Sequence, residues 1–384
     1  MTNITNPEIL NYYTDICAEW NFTPVERISS GYESVDGALR KLTKEKWAAD
    51  TDIGKKAIEQ EVFDIYRSTN IIPINYYSLE GCVDEITTMS RKKSVITDKI
   101  ISTGNTGGQS FCRFWFPNMQ EAFTRKNKDV SLRSRFNNDI KLKRAINLCY
   151  KYRDEGDKSV LPQSIRRALD LVDGGSIQNF KPMNARSIYE YICPTLMGKV
   201  LDFSSGYGGR MLGSMTSKMR YNYTGIDPNT KTLNGLTALG NLITDIGYGS
   251  GFNMNHMGSE DFDDTSNTYD AAFSSPPYFN LENYCDEETQ CMNRYTNLDA
   301  WFDLYVTPTL TMLHKVLVDD GIYAVNIADY DDQKIVDRWI ALSAALNFKH
   351  VDTLKMTLNV RPGKGNNKLQ NGFKFESVYL FRKK

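Results

Sequence analysis

Apolar, strand-like runs alternate with amphipathic helical patterns along the second half of the chain. The predicted strands are residues 199–203, 221–227, 269–274 and 321–328. The predicted helices are residues 211–218, 231–246, 298–318 and 334–346. This alternation requires crossover connections, which place parallel strands in one sheet with helices on both faces. Two further strands, 351–358 and 373–382, have no helix between them, so the sequence predicts an α/β fold whose mostly parallel sheet carries an antiparallel C-terminal strand.

The first half of the chain is mainly helical in pattern. Apolar residues recur at three- and four-residue spacing within residues 6–70 and again up to residue 172. One apolar run, residues 111–116, is predicted as a strand. Residues 173–176 read Asp-Gly-Gly-Ser and mark a boundary. The predicted organisation is therefore a mainly helical, basic, target-binding domain at 1–175 and a catalytic domain at 176–384.

The near-neutral net charge of −1 conceals an uneven distribution. Residues 91–153 contain fifteen Lys or Arg but only four Asp or Glu. Segregated positive charge indicates a polyanionic partner, although a solvated helical face is an equally good interpretation.

Cysteine and histidine usage argues against a metal site. The seven cysteines are scattered without two-residue spacing, and only three histidines are present. We expect reduced thiols and no bound metal. The absence of a signal-peptide pattern or a long apolar run favours a cytoplasmic protein that does not enter a membrane.

A glycine-rich turn follows the first strand of the second half. It reads Asp202-Phe-Ser204-Ser-Gly206-Tyr-Gly208-Gly. Glycines let the backbone approach a ligand closely at the carboxyl end of a strand. Asp227 closes the next strand, where an acid can accept hydrogen bonds from a ribose diol. The spacing indicates a nucleoside-containing cofactor.

A double-proline loop follows the strand at 269–274. Ser275-Pro276-Pro277-Tyr278 cannot continue a helix or a central strand, so it should form a rigid loop at a strand end. The Ser275 hydroxyl and the Pro276 carbonyl are candidate acceptors for the N–H groups of an exocyclic amine. The Tyr278 ring is a candidate stacking surface for an extruded base. These features favour transfer of a group to an amino nitrogen.

Together, the glycine turn, Asp227 and the Ser-Pro-Pro-Tyr loop resemble the amino-methyltransferases of DNA, over roughly residues 179–384. Over its whole length the chain is similar to phage-encoded methyltransferase-like proteins. The resemblance implies a class I (Rossmann-like) fold, S-adenosylmethionine as cofactor, and methylation of N4 of cytosine or N6 of adenine in DNA. Double-stranded DNA with a flipped base is the expected partner.

The resemblance also assigns further residues by position. Predicted cofactor contacts, besides those of the turn and Asp227, are Phe180, Pro182, Glu260 and Asp261. Predicted contacts with the target base are Phe279, Glu282 and Tyr284. Arg361 and Lys364 are predicted to contact DNA because their loop is basic, although a plain connecting loop is an equally good interpretation. The turn lacks the more common Asp-Pro-Phe start, and no room for a large recognition domain follows Tyr278. RNA, a free nucleotide or a protein amide therefore stay open as targets, as does an inactive DNA-binding protein.

Overall fold

A computed structural model describes residues 4–21, 37–42, 51–93, 96–102, 106–124, 130–151, 160–172, 176–263, 268–330, 333–358 and 374–384. Its main helices up to residue 192 are α1 Pro7–Glu19, α2 Asp52–Thr69, α3 Leu79–Arg91, α4 Gln109–Trp115, α5 Leu132–Asn137, α6 Asp139–Lys151, α7 Pro162–Val172 and α8 Pro182–Ile192. Those that follow are α9 Gly209–Met215, α10 Thr230–Asp245, α11 Cys291–Arg294, α12 Leu298–Trp301, α13 Thr307–Val316 and α14 Ile335–Ala345. The strands are β1 Ile96–Thr97, β2 Ile100–Ile101, β3 Phe123–Thr124, β4 Lys199–Asp202, β5 Asn222–Ile226, β6 Gly251–Asn255, β7 Tyr269–Ser274, β8 Glu282–Asn283, β9 Leu317–Asn326, β10 Phe348–Leu358 and β11 Lys374–Lys383.

Nine of these strands form one sheet in the order β1-β2-β10-β11-β9-β7-β4-β5-β6. Neighbours from β9 to β6 are parallel. Strand β11 runs antiparallel to both β9 and β10. This arrangement confirms the predicted α/β, class I (Rossmann-like) fold with an antiparallel C-terminal strand.

The middle of the sheet determines where a ligand can bind. Strands β4 and β7 are parallel neighbours, with Leu201 opposite Ala272. From β4 the chain proceeds outward to β5 and β6, then returns to β7 on the other side of β4. The carboxyl ends of β4 and β7 therefore flank a topological switch point, where open α/β sheets bind their ligands.

The long helical pattern predicted at residues 298–318 is interrupted. A π-helical turn, Phe302–Val306, separates α12 from α13. Such turns insert one residue into the helical ladder and are frequent beside functional sites. This one carries Tyr305, whose hydroxyl lies 2.9 Å from the Ser204 hydroxyl in the glycine turn.

One predicted element is wrong, and one strand was missed. Residues 111–116 are not a strand, because most of the run belongs to helix α4. Phe111, Phe114 and Trp115 are fully buried there, and a short apolar run has the same pattern in a buried helix as in a buried strand. Strand β6 was not predicted, since its sequence, Gly-Phe-Asn-Met-Asn, has little β-propensity, and among the described strands it pairs with β5 alone.

The helical first half packs directly on the sheet. Trp115 Nε1 donates to the Gly235 carbonyl of α10 at 3.0 Å, and β2 pairs in parallel with β10. Buried residues from both halves belong to one hydrophobic cluster. The proposed boundary at 173–175 lies outside the described residues, so the division into two domains stays a prediction.

The seven cysteines are all free, and all but the half-buried Cys285 are buried. This confirms the expected reduced thiols. Among the helices in the described part of the chain, none has the length and apolar character needed to cross a bilayer.

Candidate active site

A cavity of about 1060 Å³ lies at the switch point of the sheet. Ser204 and Gly206 line it from the turn after β4, and Ser275 to Tyr278 line it from the loop after β7. Its volume is at the upper end of the range typical of small-molecule sites. The two loops singled out in the sequence therefore face one shared space.

The glycine turn adopts a backbone that other residues resist. Gly206 and Gly208 have φ angles of +57° and +72°, in the left-handed region that favours glycine. A Cβ on Gly206 would meet nothing closer than 3.8 Å, whereas one on Gly208 would lie 2.5 Å from the Phe116 ring. Gly206 thus faces open space in the cavity, while Gly208 is enclosed by protein and does not line it.

Asp202 lies beneath this turn, outside the cavity lining. It is fully buried, and its carboxylate accepts from Arg210 Nε and the Tyr223 hydroxyl, both at 2.8 Å. The same carboxylate accepts from the Ser274 hydroxyl at 2.9 Å, directly before the double-proline loop. Asp202 therefore ties the ends of β4 and β7 together rather than facing a ligand.

Asp227, at the end of β5, lines the cavity. Its carboxylate accepts hydrogen bonds from the backbone nitrogens of Gly206 (2.7 Å) and Asn229 (3.0 Å). Burial raises the pKa of Asp227 to about 6, against the opposing effect of these two bonds. The carboxylate is held in place by backbone groups, and its remaining lone pairs are available to a hydroxyl donor.

Glu260 lies in a short 3₁₀ turn and also lines the cavity. Its Oε1 accepts from Arg294 Nη1 at 2.6 Å and from the Tyr295 hydroxyl at 2.5 Å. Its Oε2 is buried without a hydrogen-bond partner in the described part of the chain. Burial raises the pKa of Glu260. The neighbouring Asp261 is more exposed, pairs with Arg294, and does not line the cavity.

The segment before α8 closes another side of the cavity. Phe180 lines it, with its ring edge-on to Phe273 at 5.2 Å. Asn179 Nδ2 donates to the Tyr207 carbonyl at 2.7 Å and so fastens this segment to the glycine turn. Pro182 is the first residue of α8, buried and away from the cavity lining. Proline is favoured at this position because its missing N–H would have no helical partner.

The double-proline loop is held by hydrogen bonds to β9. The Ser275 hydroxyl donates to Asn326 Oδ1 at 3.2 Å, and the Tyr278 hydroxyl donates to the Asn326 carbonyl at 3.2 Å. Asn326 Nδ2 in turn donates to the Ser377 carbonyl of β11 at 2.9 Å. The Tyr278 ring stacks on Tyr330, with centroids 6.5 Å apart. Because the hydrogen of the Ser275 hydroxyl is engaged, its lone pairs are left to accept.

The residues after this loop divide into lining and packing positions. Glu282 and Tyr284 line the cavity, and the Tyr284 hydroxyl donates to Glu282. Burial raises the pKa of Glu282, and the nearby Glu376 raises it further. Phe279 instead packs into a buried cluster with a φ of +41°, which is unusual for a bulky residue. Arg361 and Lys364, predicted to contact DNA, lie outside the described residues.

Several cavity residues were not predicted from the sequence, and three of them contact or lie beside the predicted site residues. Asn326 and Glu376 come from β9 and the antiparallel β11, and Tyr305 from the π-helical turn. A polar residue ending the apolar stretch of β9 was a usable signal for Asn326. No local pattern distinguishes Glu376 or Tyr305.

Comparisons with known proteins add little to this geometry. No protein-family model matches the sequence, and a search of curated proteins finds no similar sequence. Several solved structures align with the chain. The TehB-like SAM-dependent methyltransferase from Corynebacterium glutamicum has a TM-score of 0.36 and 13% identity, covering 57% of this chain and 95% of the other.

Two further alignments are of the same quality. A methyltransferase from Pyrococcus furiosus has a TM-score of 0.33 and 14% identity, covering 52% of this chain and 83% of that one. TrmN from Thermus thermophilus has a TM-score of 0.34 and 14% identity, and the alignment spans 53% of this chain but about half, 48%, of TrmN. Alignments of this quality carry no information on the chemistry of the site.

Proposed function

We propose that this protein is an S-adenosylmethionine-dependent methyltransferase that modifies an exocyclic amino group of a DNA base, N4 of cytosine or N6 of adenine. The observation that carries the proposal is the shared cavity between the Gly206 turn and the Ser275–Tyr278 loop. Parallel neighbouring strands bring the glycine turn and the double-proline loop to one edge of the sheet. Transfer between two ligands needs this proximity.

The first wall of the cavity suits the nucleoside part of the cofactor. Asp227 offers a fixed carboxylate to the ribose hydroxyls, and Gly206 leaves room for the ligand beside the backbone. The unpartnered Glu260 Oε2 is a suitable acceptor for the adenine amino group. The bound cofactor would supply an electrophilic methyl group on its sulfonium sulfur, and that sulfur would keep the electron pair of the methyl–sulfur bond that breaks.

The second wall suits a planar amine. Its nitrogen lone pair is delocalised into the ring, so hydrogen-bond acceptors must turn the N–H groups away from the incoming methyl. The Ser275 hydroxyl oxygen and the Pro276 carbonyl would accept those N–H groups. Asn326 keeps the serine hydrogen turned aside. In this proposal the Tyr278 ring, supported by Tyr330, stacks on the base.

One proton must leave the nitrogen as the new N–C bond forms. No strong base is required, because the methylated nitrogen is acidic before it releases the proton. Glu282 lines the cavity, and its raised pKa makes its carboxylate a better proton acceptor than an exposed glutamate. We assign it the secondary role of receiving that proton.

DNA is proposed as the target from the positive charge of residues 91–153. Within this segment Arg91, Lys93, Lys143 and Arg144 are exposed. Exposed cations of this kind bind phosphates without reading sequence. Others have structural partners instead. Arg135, for example, is fully buried and donates to the Ser176 hydroxyl at 2.6 Å.

Mass spectrometry of nucleosides tests the proposal directly. Duplex DNA, single-stranded DNA and RNA are each incubated with the protein and S-adenosylmethionine carrying a labelled methyl group, then digested. We expect labelled N4-methylcytosine or N6-methyladenine from DNA. Calorimetry with the cofactor alone is the control. Cofactor binding without label in any polymer would reject the DNA proposal and favour a small-molecule or protein target.

A further inference from the structure

A second cavity adjoins the candidate active site. It has a volume of about 340 Å³ and is formed by α4, α7 and the segment before α8. Gln109, Gln178 and Lys181 line both cavities, so they form the wall between them. A ligand group in the smaller cavity would therefore lie close to one in the larger.

The smaller cavity is strongly positive. Four cations line it: Arg113, Arg166, Arg167 and Lys181. Among the described residues no acidic side chain lines it, and its remaining lining is polar except for Ile74. Asp170 lies behind the wall and pairs with Arg166 at 3.0 Å. Because no acidic side chain of the described residues lines the cavity, its lining carries a net positive charge.

Arg113 lines this cavity from helix α4. It is half-buried, and burial together with the nearby Arg166 lowers its pKa to about 10, against the opposing effect of Asp170. Throughout the described part of the chain its side chain has no hydrogen-bond or ion-pair partner. Removing a guanidinium from water without pairing it is costly, and nearby cations increase that cost. Such a group is stabilised when an anion enters the cavity.

We infer that this cavity binds a phosphate group of the polynucleotide whose base occupies the larger cavity. An arginine fork is suited to the paired oxygens of a phosphate, and a nearby lysine adds a point charge. The inference rests on the proposed function and adds to it a specific binding site for one backbone phosphate. A phosphate held here would fix the backbone beside the amine-binding loop, whereas the exposed cations of the basic segment hold DNA without a fixed register.

The test compares Arg113→Gln and Arg167→Gln with Arg144→Gln, which removes one of the exposed cations that bind phosphate without a fixed register. Arg144 is exposed, belongs to the same basic segment and lines neither cavity. Binding of a duplex oligonucleotide is measured by fluorescence anisotropy across a salt series. We expect Arg113→Gln to weaken binding about tenfold and to lower the salt slope by about one. Arg167→Gln should follow in the same direction, and Arg144→Gln should change affinity less than threefold or so.

Arg113→Lys keeps the charge and should recover part of the affinity, which separates ligand binding from misfolding. Single neutral methylphosphonate linkages placed along the oligonucleotide locate the contact. At the linkage that enters the smaller cavity, the neutral substitution should weaken DNA binding by the wild-type protein. The same substitution should not weaken binding by Arg113→Gln any further, because that variant has already lost the contact.

Three outcomes overturn the inference. Equal losses in Arg113→Gln and Arg144→Gln would mean that the cavity is no specific anchor. A tenfold loss of S-adenosylmethionine affinity in Arg113→Gln would assign the cavity to the cofactor carboxylate. An Arg113 effect on deoxycytidine monophosphate but not on the oligonucleotide would make it a free-nucleotide site. If the wild-type protein methylates DNA in any of these cases, the proposed function stands without the anchor; if it neither binds nor methylates a polynucleotide, both fail.

Discussion

The two walls of the main cavity differ in what holds their polar groups. On the cofactor side, the backbone nitrogens of Gly206, after β4, and Asn229, after β5, fix the Asp227 carboxylate. On the base side, side-chain donors link three elements: the Ser275 hydroxyl donates to the Asn326 side-chain oxygen of β9, and the Tyr278 hydroxyl donates to the Asn326 backbone carbonyl. The Asn326 side-chain amide in turn donates to the Ser377 backbone carbonyl of β11. Backbone donors thus fix the Asp227 carboxylate on the first wall, whereas side-chain donors fix the double-proline loop on the second.

Asp202 belongs to neither wall but supports both. It binds Arg210 and Tyr223 on the cofactor side and Ser274 on the base side. The comparison therefore suggests that changes to one wall should affect one ligand, while changes to Asp202 should affect the whole site.

The largest effect is expected from Asp202→Ala, which leaves the buried Arg210 without its charge partner. Breaking such a pair costs roughly 3–5 kcal/mol of the free energy of unfolding. Urea denaturation measures this loss. Asp245→Ala, at an exposed position, is the control and should change stability by less than about 0.5 kcal/mol. If Asp202→Ala is stable and loses only cofactor affinity, the result would support the sequence-based prediction that Asp202 contacts the cofactor directly.

On the base side, Pro276→Ala or Tyr278→Ala should lower the rate of methyl transfer about 100-fold or more, because the amine is no longer aligned. Calorimetry should find cofactor affinity nearly unchanged. Tyr191→Ala, which removes an exposed tyrosine, is the matched control and should keep its activity. Comparable losses of cofactor affinity in these variants would remove the distinction between the walls.

On the cofactor side, Asp227→Ala should weaken S-adenosylmethionine binding by roughly 30-fold, since hydrogen bonds to a charged group are lost. The transfer rate at saturating cofactor should fall much less. Isothermal titration calorimetry and initial rates separate these quantities. An unchanged dissociation constant would show that Asp227 is not a ribose ligand.

Asn326→Ala should lower kcat about tenfold by freeing the Ser275 hydroxyl to turn its hydrogen toward the substrate. Asn326→Asp keeps the acceptor for Ser275 but loses the donor to Ser377, so we expect an intermediate kcat. Steady-state kinetics should find the cofactor KM unaffected. A rise in that KM without a fall in kcat would place Asn326 on the other wall.

The smallest effect concerns pH. The carboxyl group of Asp227 has a pKa of about 6, and its protonated form is the poorer acceptor for ribose hydroxyls. Cofactor affinity should therefore rise as pH increases through 6, by about fourfold between roughly pH 5.5 and 7 if only the ionised form binds. In Asp227→Asn the affinity should be flat over this range; the same rise in that variant would assign it to another group.

Much of this architecture is readable in the sequence. The alternation of strands and helices determined the sheet, and the glycine turn, Asp227 and the double-proline loop were found because each lies at a strand end. These signals are local: backbone angles, ring constraints and strand periodicity depend on neighbouring residues.

Only the tertiary structure decided which side chains face the cavity. Asp202 and Gly208 fit the spacing of a cofactor-binding glycine turn but are enclosed by protein. Asn326 and Glu376 line the cavity although neither belongs to a sequence motif. Arg113 is one basic residue among fifteen in its segment, and only packing placed it half-buried with other cations. Burial and pairing depend on residues distant along the chain, so the energy of each charge becomes defined only when the fold brings those residues together.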